Sequence, residues 1–232
     1  MDVVVAAVYH VYMKFIRIPT LQDGLEPLRD RLLRELGDGK DILWLVPGGS
    51  NIPLTVGVMA QIPDEMTARL TIMLTDERYG PLGHKDSNAF QLDQTGFLPK
   101  QAKVLPVLHA DVSLDETCLR YAQDFTEQAR KADMIIGQFG MGADGHIAGC
   151  LPRSPAVSSA DMTAGYEAPG FIRITLTPKA LQQLTVAYVF AFGAEKRAAL
   201  ERLQLETVSL DIQPAQIIKQ LPESYVYNDQ VA

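Results

Sequence analysis

Short apolar runs alternate along this chain with longer segments of helical spacing, and this alternation restricts the fold more than any other feature. Continuous apolar runs are typical of strands that are buried on both faces of a parallel sheet. We therefore predict an α/β fold with helices on both faces of one sheet. Predicted strands cover 13–18, 41–46, 70–75, 103–107, 133–139, 171–176, 186–192 and 225–227. Predicted helices cover 20–36, 52–59 and 113–132, and two more begin at 178 and 193.

Polar or glycine-rich segments follow four of the predicted strands, at 48–51, 76–78, 140–146 and 193–196. The carboxyl ends of parallel strands lie at the same edge of a sheet, and open α/β sheets bind their ligands there. We therefore expect these four segments to meet at one site. The combination is more specific than any single member.

Segment 140–146 carries an aspartate, Asp144, and a histidine, His146, among three glycines. It matches the pattern Gly-x-Gly-x-x-Gly, which also occurs in dinucleotide-binding proteins. That pattern needs a long helix directly after it, whereas Pro152 and Pro155 leave room for about one helical turn. A structural turn around a buried histidine is the alternative, but a polar triplet in a loop favours a catalytic histidine.

Three other strand ends offer groups that bind anions. Gly48, Gly49 and Ser50 precede a predicted helix, an arrangement that binds phosphate as readily as it forms an ordinary turn. Asp76 is a candidate acid or base and Arg78 a candidate phosphate clamp, with a surface ion-pair cluster as the alternative. A cation such as Lys196 in the first turn of a helix opposes the helix dipole unless an anion lies nearby.

Composition and charge exclude several classes of protein. A chain of 232 residues with 47% hydrophobic residues suits one large α/β domain, and its net charge of −7 without a basic run argues against nucleic-acid binding. Cys118 and Cys150 suggest reduced thiols, hence a cytoplasmic location, and no spacing indicates a metal site. The apolar run at 3–8 is too short to span a membrane. We expect residues 1–12 to be an upstream extension and 13–232 to form a single domain.

The motifs together resemble those of the 6-phosphogluconolactonase family, within the glucosamine-6-phosphate isomerase/deaminase superfamily. The resemblance runs from about residue 15 to the end of the chain. The residues that carry it are Pro-Gly-Gly-Ser at 47–50, Thr-Asp-Glu-Arg at 75–78, Asp-Ser-Asn at 86–88, Gly-Met-Gly-Ala-Asp-Gly-His at 140–146, Arg-Ile-Thr-Leu-Thr at 173–177 and Gly-Ala-Glu-Lys at 193–196.

This resemblance implies a modified Rossmann-like, three-layer fold that hydrolyses 6-phosphogluconolactone in the oxidative pentose phosphate pathway. It implies no metal or cofactor, a sugar-phosphate substrate, and a monomer or homodimer without nucleic-acid or membrane partners. His146 would be the general base, a role that suits a side chain titrating near neutral pH. Asp144 and Asp76 would orient it or order the water. The substrate and its phosphate would be held by Gly48, Gly49, Ser50, Arg78, Asn88, Arg173 and Lys196.

Two alternatives follow from the same resemblance. Glucosamine-6-phosphate deaminases share Ile147-Ala148 after the histidine but continue to a glutamate just before the proline, where this chain has Leu151. The lactonase pattern Ser-Leu-Phe-Pro is also altered here, to Gly-Cys-Leu-Pro at 149–152, so the substrate preference stays open. A non-catalytic sugar-phosphate sensor is the second alternative, although such proteins carry a DNA-binding segment.

Overall fold

A computed structural model describes residues 12–232 and contains a seven-stranded parallel sheet flanked by helices. The predicted α/β class is confirmed. The prediction that residues 1–12 form an extension lies outside the described residues except at Tyr12, which is the first residue of a strand. The strands are β1 (Tyr12–Arg17), β2 (Ile42–Val46), β3 (Leu70–Leu74), β4 (Asp76–Tyr79), β5 (Lys103–Leu105), β6 (Met134–Gly140), β7 (Thr163–Ala168), β8 (Phe171–Leu176), β9 (Val186–Ala191) and β10 (Glu223–Asn228).

The α-helices connect these strands, and short 3₁₀ turns lead into several of them. The prediction of one continuous helix over 20–36 is wrong in its first turn. The chain forms a 3₁₀ turn at Leu21–Gly24, and an α-helix follows it. Pro27 lies in the first turn of that α-helix, where its missing N–H costs no helical hydrogen bond. The α-helices are α1 (Leu25–Gly37), α2 (Ile52–Ala60), α3 (Asn88–Gln94), α4 (Leu114–Lys131), α5 (Pro178–Leu181) and α6 (Arg197–Leu205).

The order of the strands places a crevice between β2 and β6. The main sheet runs β1-β10-β9-β6-β2-β3-β5. From β2 the chain builds outward through β3 and β5, and from β6 it builds the other way through β9 and β10. Because parallel crossovers are right-handed, the two directions place helices on opposite faces. Ligands bind where the direction reverses, so the loops after β2 and β6 should form the binding site.

A second sheet of three antiparallel strands, β4-β8-β7, was not predicted. Segment 171–176 is a strand as expected, but it pairs with β4 and β7 rather than joining the parallel sheet. Only Thr75 separates β3 from β4, so the chain turns directly from the main sheet into the small one. The small sheet carries Asp76, Arg78 and Arg173 to the edge where β2 and β6 end.

Candidate active site

A cavity of about 360 Å³ opens at the carboxyl ends of β2 and β6, where the strand order reverses. All four segments that the sequence singled out contribute to its walls. Of the predicted site residues, only Asp144 does not line the cavity, and it contacts a residue that does. The predicted residues that line it are Gly48, Gly49, Ser50, Asp76, Arg78, Asn88, His146, Arg173 and Lys196.

His146 and Asp144 form a hydrogen-bonded pair at this cavity. His146 Nδ1 lies 2.7 Å from Asp144 Oδ1, and the same oxygen accepts the backbone N–H of His146 at 3.1 Å. The hydrogen bond with His146 lowers the pKa of Asp144 to about 2, so this carboxylate is ionised at neutral pH and can only accept. Because Asp144 can only accept, the contact requires a proton on Nδ1. The tautomer with its single proton there leaves a free lone pair on Nε2.

Gly142 is what allows this pair to form. The loop closes by a hydrogen bond from Gly142 N to His146 O of 3.0 Å and by a β-bridge between Met141 and Ile147. A Cβ atom on residue 142 would lie 2.1 Å from His146 Nδ1 and 2.4 Å from Asp144 Oδ1. The histidine and the aspartate thus pack directly over the glycine backbone.

The loop after β2 approaches the cavity in the same way. Gly49 has a φ of +64°, a conformation that glycine adopts without strain. A Cβ on Gly48 would lie 1.9 Å from Asn88 Oδ1, so the Asn88 side chain rests on the backbone of residue 48. Asn88 Nδ2 in turn donates to the carbonyl of Asp76 at 2.9 Å. Asn88 therefore ties the loop after β2 to the start of β4.

Asp76 is buried beside an arginine. Its Oδ1 accepts from Thr75 Oγ1 at 2.9 Å, and its Oδ2 lies 3.9 Å from Arg173 Nη1. Asp76 is 7% exposed and lines the cavity, which places a carboxylate inside the site and close to a cation. The alternative of a surface ion-pair cluster is wrong for this residue.

Arg78 and Arg173 are directly opposite each other on the antiparallel strands β4 and β8. Opposite residues of such a pair share one face of the sheet, and like charges there repel each other. Both line the cavity, as does Lys196, whose ammonium lies 4.0 Å from Glu195, an exposed side chain. Lys196 ends a 3₁₀ turn at the start of α6, close to where the helical pattern placed it. Three cations thus converge on one cavity.

The loop that precedes α3 contacts the site through its backbone. Asp86 O accepts from Arg78 Nη1 at 2.9 Å, and His84 Nε2 lies 2.9 Å from Arg78 O. His84 is half-buried and does not line the cavity. Of residues 83–88, Asn88, the first residue of α3, lines it.

Sequence reasoning missed three residues that hold the site together. Glu77 is fully buried and accepts hydrogen bonds from the backbone N–H groups of Arg78, Asn88 and Ala89 and from Ser87 Oγ. Burial raises the pKa of Glu77, and those hydrogen bonds oppose the rise. Its only sequence signal was its place between Asp76 and Arg78.

The other two missed residues hold the segment after β6 from outside it. Thr175 Oγ1 accepts from Gly149 N at 2.9 Å. Gln213 is fully buried, donates to Ala199 O at 2.7 Å and packs against Gly145. Thr175 lies in the motif at 173–177, but the motif gave it no role, and nothing in the local sequence marks Gln213. Each contact joins segments that are distant along the chain.

Within residues 12–232, no group of three or more His, Cys, Asp or Glu side chains is arranged to hold a metal ion. None of the helices in that range is both long enough and apolar enough to cross a bilayer.

Known proteins resemble this chain in sequence and in fold. Residues 26–226 match the family described as glucosamine-6-phosphate isomerases/6-phosphogluconolactonase. A 6-phosphogluconolactonase of Thermotoga maritima is 27% identical over 199 residues, which cover 81% of this chain and 88% of that protein. One from Borreliella burgdorferi is 31% identical over 169 residues, covering 68% and 71%. The crystal structure of a 6-phosphogluconolactonase from Shewanella baltica OS155 superposes with a TM-score of 0.77 at 20% identity, covering 93% of this chain and 97% of that one.

Proposed function

The chain belongs to the family of glucosamine-6-phosphate isomerases and 6-phosphogluconolactonases, and on that premise we propose that it hydrolyses 6-phospho-D-glucono-1,5-lactone to 6-phospho-D-gluconate. One observation carries the proposal: the Asp144–His146 pair faces the same cavity as three cationic side chains. The pair offers a base for attack on a carbonyl, and the cations offer a site for a phosphate dianion.

His146 acts as the general base. Its Nε2 accepts a proton from water while the water oxygen bonds to C1 of the lactone, and the carbonyl electron pair moves onto the oxygen. The tetrahedral intermediate then collapses, the bond from C1 to the ring oxygen breaks, and the ring oxygen takes a proton from the imidazolium. Asp144 holds the ring in the required tautomer and stabilises the imidazolium that forms.

The cations hold the 6-phosphate. Arg78 and Arg173 share one face of the small sheet, so a dianion between them relieves their mutual repulsion. Arginine presents forked N–H donors that match phosphate oxygens, and Lys196 adds a third charge. The loop at Gly48–Ser50 leads into α2, whose N-terminus favours an anion or a developing oxyanion nearby.

Asp76 and Asn88 take the remaining positions around the sugar. Asp76 is a buried carboxylate within the cavity, which suits a group that orders the attacking water or accepts from a sugar hydroxyl. Asn88 is 1% exposed and fixed by the Asp76 carbonyl, so it offers a rigid polar contact.

Deamination of glucosamine 6-phosphate is the rival activity within the same family. The deaminase pattern places a catalytic glutamate just before the loop proline, where this chain has Leu151. Leu151 packs against a small apolar cluster that contains Cys150 and Tyr166, and it does not line the cavity. This position therefore supplies no carboxylate to open an amino-sugar ring, which favours the lactonase.

The proposal also covers the domain organisation, the oligomeric state and the location of the protein. Residues 13–232 act as one sugar-phosphate hydrolase domain, supported by a core cluster that runs from Leu25 to Val231. We propose a monomer or homodimer in the cytoplasm, where the unpaired Cys118 and Cys150 would stay reduced. Light scattering on the purified protein tests the oligomeric state, and cell fractionation tests the location.

Direct observation of the reaction tests the activity. The lactone is generated in situ, and its decay is followed by NMR with and without protein, because such lactones also open spontaneously. Glucosamine 6-phosphate serves as the parallel substrate. Faster lactone decay without ammonia release supports the lactonase, whereas ammonia release supports the deaminase. Saturable binding without turnover would indicate a sensor and overturn the proposal.

A further inference from the structure

A tight hairpin carries an aromatic side chain to the edge of the cavity. Strands β7 and β8 are joined by Pro169 and Gly170, and Ala168 pairs with Phe171 across the turn. Phe171 is two residues before Arg173 on β8, so both side chains lie on the same face of the small sheet. Arg78 is opposite Arg173, which makes Phe171 its diagonal neighbour.

The ring of Phe171 lies against the Arg78 guanidinium. Arg78 Cζ is 5.4 Å from the ring centroid, within the range of a cation–π contact. The other contact of this guanidinium is the hydrogen bond from Nη1 to Asp86 O. Within residues 12–232, no carboxylate lies within ion-pair distance of Arg78. The guanidinium is thus held by a ring and a carbonyl, neither of which bears a formal charge.

We propose that Phe171 is a positioning residue that aims the Arg78 guanidinium at the substrate phosphate. The identity of the anion rests on the proposed function, whereas the contact between Phe171 and Arg78 is independent of it. A carboxylate at this place would also fix the arginine, but it would neutralise the charge and compete with the phosphate. An aromatic ring fixes the guanidinium and leaves its positive charge available to the ligand.

The exposure of Phe171 fits this role. The side chain is 36% exposed at a strand end, so burial in the core does not account for its presence there. Leucine in its place would keep an apolar side chain on the same face but would lack the ring quadrupole. Tyrosine would keep the quadrupole. The two substitutions therefore separate the electronic contribution of the ring from its bulk.

Steady-state kinetics and direct binding test the inference together. Phe171→Leu should raise KM for the phosphorylated lactone about two- to fivefold, the range expected for a partly exposed cation–π contact, with little change in kcat. Phe171→Tyr should restore the wild-type KM. The dissociation constants of 6-phosphogluconate and inorganic phosphate, measured by calorimetry, should follow the same order. Tyr12→Leu, which removes an exposed aromatic from an edge strand outside the cavity, is the matched control.

A double-mutant cycle shows whether Phe171 acts through Arg78. In an Arg78→Met background, Phe171→Leu should produce no further rise in KM or in the phosphate dissociation constant. Equal effects in both backgrounds, or no effect in wild type, would overturn the inference while lactone hydrolysis remained. If the wild-type protein hydrolyses no lactone but phosphate binding still depends on Phe171 through Arg78, the proposed function fails and the positioning role stands.

Discussion

Replacement of Gly142 by alanine should disable the enzyme while leaving the fold intact. The new methyl group would lie 2.1 Å from His146 Nδ1, whereas ordinary contact begins at 3.4 Å, so the ring would have to retreat by about 1.3 Å. Asp144 Oδ1, at 2.4 Å from the same position, would have to move as well. Gly142 has no positive φ, so the effect comes from steric contact rather than from backbone strain.

A displacement of this size has a predictable kinetic cost. Misplacement of a reacting group by about 1 Å lowers a rate by about 100-fold, so kcat/KM of Gly142→Ala should fall by roughly that factor. The dissociation constant of 6-phosphogluconate should change little, because the cations proposed to bind the phosphate lie on β4, β8 and the turn before α6. Lactone decay by NMR gives the rate, and calorimetry gives the affinity.

Gly37→Ala is the matched control for this variant. Its Cβ would meet only the end of the Met66 side chain at 3.4 Å, so activity should stay at the wild-type level. If Gly142→Ala hydrolysed the lactone as fast as Gly37→Ala, the packing of His146 and Asp144 over residue 142 would not matter for the reaction. The steric reasoning would then be refuted.

Four further predictions follow from the site. Asp144→Asn should lower kcat/KM about 10- to 100-fold with little change in KM, because the imidazolium loses its charged acceptor; steady-state kinetics would show this. Arg173→Met should raise KM more for the phosphorylated lactone than for glucono-1,5-lactone, which a side-by-side assay would reveal. The pKa of Asp144 is lowered to about 2, so the ionised carboxylate stabilises the fold above the ordinary aspartate range, and this stabilisation is lost as the pH falls towards 2. The free energies of unfolding of wild type and Asp144→Asn, measured with urea, should therefore converge on acidification. Glu77→Gln should destabilise the fold by about 1–3 kcal/mol, because the new amide NH₂ would face N–H groups that now donate hydrogen bonds to the carboxylate. Urea unfolding at pH 7 measures this loss.

Local patterns were sufficient to predict the main sheet. The runs that became β2 and β9 are apolar at nearly every position, and the run that became β6 is apolar at most of them, because both faces of a central parallel strand are covered. Once the strands were parallel, their carboxyl ends had to share an edge, so the meeting of Gly48, Arg78, His146 and Lys196 at one cavity followed from the fold.

The small antiparallel sheet could not be predicted in the same way. Strand β4 contains Asp76, Glu77 and Arg78, residues that are uncommon in strands, and β7 lacks an apolar run. The pairing of β4 with β8 joins segments that are far apart in the chain, although β7 and β8 form a local hairpin. The burial of Glu77 has the same origin, since three donors from residues 87–89, together with the backbone N–H of Arg78, hold a carboxylate that looks like a surface charge in the sequence.

The predicted helix start at Thr20 shows a smaller error of the same kind. The Asp23 carboxylate accepts from Thr20 N and Oγ1, at 2.9 and 2.7 Å, so a turn does begin at Thr20. The turn that it caps is 3₁₀, however, and Gly24 is held where a Cβ would lie 2.5 Å from the Phe190 ring. Packing against β9 thus decides the local conformation, and propensity does not.

We propose that His146 is the base that activates water for hydrolysis of the lactone. The most direct test is the protein-dependent rate of 6-phosphogluconolactone hydrolysis by wild type and His146→Ala, measured together above the spontaneous background. The rate of the variant should fall by roughly 10²–10⁴-fold, the contribution of a general base, while its affinity for 6-phosphogluconate stays near the wild-type value. A His146→Ala protein that hydrolyses the lactone at the wild-type rate would show that His146 is not the base.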